Sequence, residues 1–248
     1  MGEPRFFINK IAEGKAEITG GDYDHAVNVL RLGKGEKVKV FNYEYGEYEA
    51  RITGLDRKKK KVFLAIKKQL RKRESEGGKI SAIVSLVKND KFEFIIQKLT
   101  EIGIDEIIPY EAKRSVVKIK DREKKAKRWK KIIYSAVKQS GRMTGPVLRG
   151  AAGNMEKVGI EKGADKFFIW EKEEKKYLID EAAGLKKNGK VYFITGPEGG
   201  FEDSEAAEIK KKGFTPVSMG DTVLRADTAV ITAAAIFAQA IRRSAWKN

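Results

Sequence analysis

From about residue 79 onward the sequence alternates short apolar runs with segments of helical periodicity, and this alternation limits the fold more than any other feature. Predicted strands lie at Ile80–Val87, Asp105–Pro109, Lys166–Trp170 and Val191–Thr195. Helices are predicted between them, the first from apolar residues at i, i+3, i+4 and i+7: Phe92, Ile95, Ile96 and Leu99. Strands that alternate with helices indicate an α/β domain, a parallel sheet with helices on its faces.

The first 70 residues follow a different pattern, in which short strands follow one another. Strands are predicted at Arg5–Ile8, Glu36–Phe41, Tyr48–Ile52 and Val62–Ile66. One short helix is predicted at Tyr23–Leu30, and the charged run Asp56–Lys61 is typical of a hairpin tip. Many short strands with turn signals predict a small β-barrel.

A charged segment that ends in two glycines separates these patterns. Residues 71–78 contain no large apolar side chain, which is typical of an interdomain linker. We therefore expect a barrel domain at 1–70, a linker at 71–78 and an α/β domain at 79–248.

The charge balance narrows the class of partner. The chain has 52 Lys and Arg against 35 Asp and Glu, a formal net charge of +17, which favours polyanions such as nucleic acid. The alternative is the lysine-rich surface of a thermophilic protein. It fits less well because the basic residues are not matched by a similar number of acidic residues. No cysteine and one histidine leave no thiolate or multi-histidine metal site. Without a signal-peptide pattern or a long apolar run, we expect a cytoplasmic protein that does not enter membranes.

The segment Ile194–Phe201 carries the sharpest chemical signal. It places Thr195, Gly196, Pro197, Glu198, Gly199 and Gly200 between a predicted strand and a helix that begins near Asp203. Glycines there allow a ligand to approach the backbone, and the helix N-terminus favours negative charge. The segment matches neither a P-loop nor a dinucleotide-binding motif. The alternative is an ordinary strand-to-helix turn.

A second segment, Met219–Ala229, leads into a helix that is apolar on nearly every side. Such a helix is buried all round or packs against another subunit. Arg225 precedes it and lies two residues before Asp227, so the alternative to a functional arginine is a structural ion pair between the two.

Basic and polar residues in loops are candidates for RNA contact. Arg114 lies in one loop, and Gln139 and Arg142 lie at the end of the helix that contains Trp129. Lys58, Lys59 and Lys60 form the hairpin tip. For each of these, plain solvation is the alternative, and His25 is expected to be structural or exposed.

Taken in order, these segments resemble one family, the 16S ribosomal RNA uridine N3-methyltransferases of the SPOUT superfamily. Arg5–Phe7 resembles its N-terminal start, and His25 through Val29–Leu32 to Glu36 resembles its small-domain signature. Further similar segments cover most of the α/β domain: Gln97–Pro109, Arg114–Val116, Arg128–Trp129, Gln139–Arg142, Gly196–Phe201 and Leu224–Ala229. The resemblance implies a PUA-like β-barrel followed by an α/β domain whose C-terminal part forms a deep trefoil knot.

The resemblance also implies S-adenosylmethionine as cofactor, 16S rRNA or the small ribosomal subunit as partner, and a homodimer formed through the C-terminal knot helix. The implied cofactor-binding residues are Trp170, Glu171, Thr195, Gly196, Pro197, Glu198, Gly199, Gly200, Met219, Gly220, Thr222, Val223, Leu224, Arg225 and Ala226. The RNA-binding residues are Arg5, Arg31, Lys58, Lys59, Lys60, Arg114, Gln139 and Arg142.

The sequence departs from the family pattern at two positions. Asp227 occupies a place where the family more usually has Glu, and Glu202 replaces a Ser or Thr helix cap, which weakens a capping box with Glu205. The catalytic residues expected are Arg225, Glu198 and Asp227. We expect Arg225 to stabilise charge on the uracil oxygens or to orient the base, and Glu198 or Asp227 to accept the N3 proton or to position Arg225. Alternative functions are methylation of another nucleotide or of transfer RNA, and RNA binding or ribosome assembly without catalysis.

Overall fold

The structure is a computed structural model that describes residues 3–42, 46–71, 79–119, 121–186 and 189–242. By its internal contacts the chain forms two compact units. One is Met1–Ser75 with Lys138–Thr144, and the other is Glu76–Val137 with Gly145–Asn248. The sequence did not indicate that Lys138–Thr144 would group with the N-terminal residues. Most of the predicted linker, residues 72–78, lies outside the described residues, and the domain boundaries stay a prediction.

The first unit contains a five-stranded sheet in the order β1-β3-β4-β5-β2. The strands are β1 (Arg5–Phe7), β2 (Lys15–Ile18), β3 (Lys37–Asn42), β4 (Gly46–Asp56) and β5 (Lys61–Arg71). β1 pairs with β3 in parallel, and the other neighbours are antiparallel. β1 and β2 lie at the two ends of this pairing order, and the closed barrel expected from the sequence stays a prediction. The sequence analysis also missed β2.

Alternation of charged and apolar residues explains the core of this unit. Along β3, Val38 and Val40 are buried whereas Lys37 is exposed, as expected for a strand that covers a core with one face. The helix predicted at Tyr23–Leu30 lies at Gly21–Val29, and only its first turn is α-helical. An α-helical turn, α1 (Gly21–Asp24), continues as a π-helical segment at His25–Val29.

The second unit contains a six-stranded, entirely parallel sheet in the order β11-β9-β10-β6-β7-β8. Its strands are β6 (Lys79–Ser85), β7 (Glu106–Tyr110), β8 (Val147–Leu148), β9 (Asp165–Ile169), β10 (Lys190–Thr195) and β11 (Thr215–Val217). The predicted parallel sheet is therefore confirmed, although β8 was missed because two residues carry no periodicity.

Five helices belong to the described chain after β6. They are α2 (Asn89–Ile102), α3 (Arg122–Ser140), α4 (Leu178–Ala183), α5 (Asp203–Lys211) and α6 (Ala226–Arg242). α2 ends at Gly103, whose φ of 102° suits glycine and whose amide donates to the carbonyl oxygen of Leu99. Within the described ranges, no helix has both the length and the apolar character needed to cross a membrane.

The first turn of α5 differs from a capping box. Glu202 caps the helix without a side-chain hydrogen bond, and Glu205 is buried away from it. Glu205 Oε1 accepts hydrogen bonds from the hydroxyl of Tyr110 at 2.9 Å and from the amide of Lys113 at 3.2 Å. Burial and the nearby Glu205 carboxylate raise the pKa of Tyr110. Glu205 therefore joins α5 to the end of β7.

α6 is buried largely by its own chain. Phe237 lies 5.1 Å from the Phe167 ring and 5.2 Å from the Phe193 ring, which places it against β9 and β10. The sequence predicts that six apolar residues of this helix meet a second subunit: Val230, Ile231, Ala234, Ile236, Phe237 and Ile241. Four of them, Val230, Ala234, Phe237 and Ile241, are instead buried within the chain itself. The all-round apolar character of α6 is thus explained mainly by the protein's own sheet, and Ile231 and Ile236 alone among those residues remain half-exposed.

The chain at the end of β11 is hydrogen-bonded on both sides to the segment that joins β9 to α4. The Trp170 amide donates to Val217 O at 3.0 Å on one side. On the other side, the Ser218 amide donates to Lys176 O at 2.7 Å, and the Leu178 amide donates to Ser218 O at 2.8 Å. Residues 217–218 are therefore held by both ends of the segment that joins β9 to α4.

Candidate active site

A cavity of about 560 Å³ lies where β9, β10 and β11 end. Three loops line it, at 169–171, 195–200 and 218–226. The carboxyl ends of parallel strands are the usual place for ligands in open α/β sheets, and the volume suits a small organic ligand. The structure brings together every residue expected to bind the cofactor, from Trp170 through Gly200 to Ala226. The contacts with a cofactor stay a prediction.

The glycines of the 195–200 loop are required by close packing. A Cβ on Gly200 would lie 2.7 Å from Glu171 Oε1, and its φ of 66° disfavours other residues. A Cβ on Gly196 would lie 3.1 Å from the Phe201 ring. At Gly196 and Gly200 the loop therefore carries no side chain beside the cavity, whereas Thr195, Pro197 and Glu198 of the same loop also line it.

Gly220 in the 218–226 loop serves a different purpose. Its φ is 115°, yet no atom lies within 4 Å of the position that a Cβ would take. Glycine is needed here for the backbone turn and not for space. Beyond it Val223 is 85% exposed, an apolar side chain in open solvent at the edge of the cavity. Such exposure at a cavity edge suits a surface that a ligand covers.

Trp170 forms an apolar wall of the cavity. Its ring stacks on Phe168 with centroids 5.4 Å apart, and Lys210 Nζ lies 4.0 Å from the ring centroid. The aromatic stack fixes the indole, and the indole N–H is buried without a hydrogen-bond partner. The cavity therefore has an aromatic residue in the 169–171 loop and glycines in the 195–200 loop.

The three expected catalytic residues have different surroundings. Glu198 Oε1 accepts a hydrogen bond from Lys91 Nζ at 2.7 Å. Arg225 is exposed and makes no ion pair within the described part of the chain. Asp227 lies in the first turn of α6, outside the cavity lining, and its Oδ1 is buried without a hydrogen-bond partner. The expected alternative, a structural Arg225–Asp227 pair, is therefore absent among the ion pairs of the described residues.

Arg5 is a correction to the expected RNA-binding set. Its Nε donates to Glu47 Oε1 at 2.6 Å, and its side chain is only 10% exposed. The guanidinium also donates to the carbonyl oxygens of Lys138 and Arg142 and lies 3.7 Å from the centroid of the Phe41 ring. A guanidinium enclosed and bonded in this way is not available to a phosphate, so Arg5 holds the first unit together.

The remaining RNA-binding candidates are distributed over both units. In the first unit Arg31, Lys58, Lys59, Lys60 and Gln139 are exposed, whereas Arg142 is half-buried. Lys60 lies 3.5 Å from Asp24, so it is partly neutralised. In the second unit Arg114 is exposed and donates to the carbonyl oxygen of Gly199 at 3.1 Å. Arg114 therefore supports the glycine loop, which the sequence did not indicate.

Sequence reasoning missed several residues of the cavity: Lys91, Ile169, Ser218, Asp221 and Ala229. Lys91 is the most informative of these because it pairs with Glu198. Its hydrogen bond to Glu198 raises the pKa of Lys91, and the charge of Asp227 acts in the same direction. The only sequence signal for it was its position in the first turn after β6, a strand that neighbours β10.

The donors present suit an organic cofactor more than a metal. Within the described residues, no group of three His, Cys, Asp or Glu side chains is placed to hold a metal ion. The cavity instead offers glycine-lined backbone, the aromatic residue Trp170, and the charged residues Lys91, Glu171, Glu198, Asp221 and Arg225. These are the features that hold a ligand of nucleoside size, and S-adenosylmethionine fits this description.

Comparisons with known proteins identify both units. A family model described as an RNA methyltransferase domain matches residues 73–238, and one described as an RNA methyltransferase PUA domain matches residues 18–64. The ribosomal RNA small subunit methyltransferase E of Bacillus subtilis is 30% identical over 223 residues, covering 87% of this chain and 86% of that protein. The protein of the same name numbered 2 in Borreliella burgdorferi is 31% identical over 217 residues, covering 87% of each.

Solved structures agree with these matches. The ribosomal RNA small subunit methyltransferase E of Neisseria gonorrhoeae, bound to S-adenosyl methionine, has a TM-score of 0.78 and 26% identity, covering 99% of this chain and 98% of that one. A Legionella pneumophila methyltransferase in complex with SAM has a TM-score of 0.84 and 31% identity, covering 97% and 98%. The family model spans more than half of the chain, and so the chain belongs to the RNA methyltransferase family, with a PUA-like domain before its methyltransferase domain.

Proposed function

We propose that this protein transfers a methyl group from S-adenosylmethionine to N3 of a specific uridine in the 16S rRNA of the small ribosomal subunit. The observation that carries the proposal is the cavity at the ends of β9, β10 and β11, built from the loops expected to bind the cofactor. The names of the relatives point to small-subunit rRNA, and two structural neighbours contain the cofactor.

The cofactor fits the cavity through backbone and aromatic contacts. Loop 195–200 offers main-chain groups at Gly196, which packs against the Phe201 ring, and at Gly200, whose φ of 66° suits glycine. Trp170 and Gly220 also line the cavity. When bound, the cofactor supplies an electrophilic methyl on a sulfonium, so the protein itself needs no metal for this transfer.

The protein's own residues must accept the imide proton of uridine N3 and stabilise the negative charge that develops on the uracil oxygens. Uridine N3 is a poor nucleophile while it carries its proton, and its loss places negative charge on O2 and O4. Arg225 is exposed at the cavity, and no carboxylate of the described residues pairs with it, so its guanidinium is available to those oxygens. A carboxylate, Glu198 or Asp227, accepts the proton.

RNA contact comes from exposed basic residues rather than from one specific pocket. The hairpin tip Lys58–Lys60 and Arg31 offer positive charge in the first unit, and Arg114 offers it beside the glycine loop. Each phosphate contact releases counterions, so the affinity depends on salt. The target uridine must leave its RNA stack to reach the cavity.

We propose in addition a trefoil knot, a homodimer and a cytoplasmic location. The knot is supported by the hydrogen bonds that hold residues 217–218 between Trp170 and the Lys176–Leu178 segment. For the dimer, the half-exposed residues Ile231 and Ile236 of α6 are the face left for a partner. Sedimentation of a stable and active monomer would contradict the dimer.

The decisive experiment maps base methylation in small-subunit RNA. We expect one N3-methyluridine to be absent in a strain that lacks the gene and restored by the wild-type gene. Loss of a different modified nucleotide, or one in transfer RNA, would redirect the substrate assignment. Calorimetry with S-adenosylmethionine tests the remaining alternative, because a protein that only binds RNA should take up none.

A further inference from the structure

The loop at 195–200 contains two adjacent glycines, a sequence that does not fix its own backbone. Gly199 and Gly200 both line the cavity, and a glycine backbone accepts many conformations that other residues do not. A peptide group between two glycines can therefore rotate easily unless its own polar atoms are held. Contacts to the Gly199–Gly200 peptide thus decide whether this part of the loop is ordered before a ligand arrives.

Both polar groups of the Gly199–Gly200 peptide have partners. The Gly200 amide donates to Pro197 O at 3.0 Å and closes a turn at 197–200. The Gly199 carbonyl oxygen accepts a hydrogen bond from Arg114 Nη1 at 3.1 Å. The first contact lies within the loop, whereas the second comes from a residue 85 positions away. Arg114 therefore ties this peptide to another part of the second unit.

The side chain of Arg114 also packs along Gly199. A Cβ on Gly199 would lie 3.5 Å from Arg114 Cβ and 3.7 Å from Arg114 Cδ, so the aliphatic part of the arginine covers the glycine. Gly199 lines the cavity, but Arg114 is not among the described residues that line it. Arg114 thus contacts the loop without facing the ligand space.

The segment that contains Arg114 is itself anchored. It follows β7, and the amide of Lys113 donates to the buried Glu205 at 3.2 Å. The Ser115 amide donates to Ala112 O at 2.9 Å, which closes a turn around Arg114. Backbone hydrogen bonds on both sides give Arg114 a defined position from which to hold the loop.

We propose that Arg114 is a positioning residue that orders the Gly199–Gly200 peptide for S-adenosylmethionine, a role separate from any contact with RNA. This inference rests on the function proposed above. A loop that is ordered beforehand binds its ligand more tightly, because less conformational entropy is lost on binding. Arg114 thereby acts on cofactor affinity through the backbone of the loop and touches neither the cofactor nor the uridine.

The test measures S-adenosylmethionine affinity by calorimetry on the full chain without RNA, so that a contact with RNA cannot contribute. Arg114→Met keeps an unbranched side chain but removes the hydrogen bond to Gly199 O. We expect it to bind the cofactor about tenfold more weakly, the scale of one net hydrogen bond that involves a charged group. Arg114→Lys retains a cationic donor and should restore most of the affinity.

Lys113→Met is the matched control on the same segment. Lys113 Nζ donates to Ser204 Oγ at 2.8 Å, so this variant also removes one charge and one hydrogen bond to another segment. Ser204 lies in α5 and not in the glycine loop. Lys113→Met should therefore bind the cofactor as the wild type does, and the melting temperature should change to a similar small extent in both methionine variants.

Two further measurements separate positioning from a general loss of structure. With small ribosomal subunits in excess, single-turnover methylation by Arg114→Met should be slow at low cofactor concentration and recover as the cofactor approaches saturation. Arg225→Ala should instead stay slow at any cofactor concentration. In the cofactor-free protein, Arg114→Met should speed hydrogen exchange of the Gly200 amide but not of the Gly103 amide at the end of α2.

Wild-type cofactor affinity in folded Arg114→Met would overturn the proposal, and a shallower salt dependence of RNA affinity in that variant would then make Arg114 an RNA contact only. An equal loss of affinity in Lys113→Met would overturn it too, because the effect would not be specific to the glycine loop. If Arg114→Met does not fold, Arg114→Gln, a shorter and uncharged side chain, takes its place with the same expected loss. Wild-type protein that takes up no S-adenosylmethionine would instead refute the proposed function.

Discussion

Each unit contains a cluster of acidic and basic side chains, and the side chains of the two clusters are paired to different extents. In the first unit, Glu47 accepts hydrogen bonds from Arg5 at 2.6 Å and from Arg71 at 2.8 Å, and its side chain is only 7% exposed. At the cavity of the second unit, Glu198 has one cation, Arg225 has no ion pair within the described chain, and Asp227 keeps a buried oxygen without a partner.

The difference separates charged side chains that stabilise the fold from charged side chains that remain available to a ligand. A buried charge is tolerated when it is paired and hydrogen-bonded, and Glu47 meets both conditions. Its two arginines also donate to the carbonyl oxygens of Lys138, Gly141 and Arg142, so the cluster fixes the segment Lys138–Thr144 within its unit. Incompletely paired charges beside a cavity contribute little to stability, and they are typical of functional sites.

The largest expected effect is on stability in the first unit. Glu47→Ala leaves Arg5 enclosed without its carboxylate, and removing one member of a buried pair costs about 3–5 kcal/mol of the free energy of unfolding. Chemical denaturation measures this loss. Glu49→Ala is the matched control, because its pair with Lys37 at 4.0 Å is more exposed and should contribute about 1 kcal/mol or less. Equal effects of the two substitutions would contradict a structural role for the cluster.

The second largest expected effect is on the rate of methyl transfer. Arg225→Ala should lower turnover by about 10²–10³-fold, the scale seen when one donor to a developing oxyanion is lost. The melting temperature should hardly change because no described ion pair is broken. Arg225→Lys should restore little activity, since an ammonium does not reproduce the planar fork. Thermal melting and single-turnover methylation are measured on the same samples, and a normal rate in folded protein would remove Arg225 from the active site.

A smaller effect is expected for the cofactor loops, where the structure distinguishes two glycines. Gly220→Val forces a branched residue into a backbone with φ of 115° and should weaken S-adenosylmethionine binding by about tenfold or more, with the fold retained. Gly199→Val should weaken it less, because its φ is not positive and its Cβ would meet Arg114 at an ordinary 3.5 Å. Gly153→Val, in open space and outside the cavity lining, is the control. Wild-type affinity in both loop variants would refute the loop assignment.

The pH dependence of Glu47 gives a further, more limited test. Burial alone would raise the pKa of Glu47, but the hydrogen bonds and charges of Arg5 and Arg71 outweigh it and hold the pKa below its ordinary value of 4.5. A carboxylate with a lowered pKa contributes stability above its unfolded pKa and loses it as pH falls through the folded pKa. The difference in unfolding free energy between wild type and Glu47→Gln should therefore be constant near neutrality and shrink below about pH 4.5. A constant difference down to about pH 3 would contradict the ion-paired state.

The sequence predicted the parts of this molecule that depend on local pattern. Short apolar runs identified β6 and β10, and the 3.6-residue periodicity identified α2. The glycine loop was found because it directly follows a strand. The cavity could be anticipated because the carboxyl ends of neighbouring parallel strands meet at one edge of the sheet.

Pairings between distant residues could not be predicted in this way. Lys91 and Glu198 are 107 positions apart, and Arg5 and Arg142 are 137 apart. No periodicity links such pairs, so Lys91 was missed and Arg5 was assigned to RNA. The sequence likewise does not show that Phe237 packs against Phe167 and Phe193, so it could not separate the face of α6 that the sheet buries from the face left for a partner.

The smallest expected effect concerns the hairpin tip of the first unit, where the charges, like those at the cavity, are mostly unpaired. Replacing Lys58, Lys59 and Lys60 by alanine should make the dependence of RNA affinity on salt shallower, by up to about 0.7–0.9 in log–log slope for each phosphate that the tip no longer neutralises. Lys60 should contribute least because Asp24 lies 3.5 Å away. Removing the exposed Lys10, Lys15 and Lys34 of the same unit takes away equal charge and serves as the control. If both triple variants change the slope equally, only net charge matters, whereas an unchanged slope in the hairpin variant would make the tip a solvated turn that does not touch RNA.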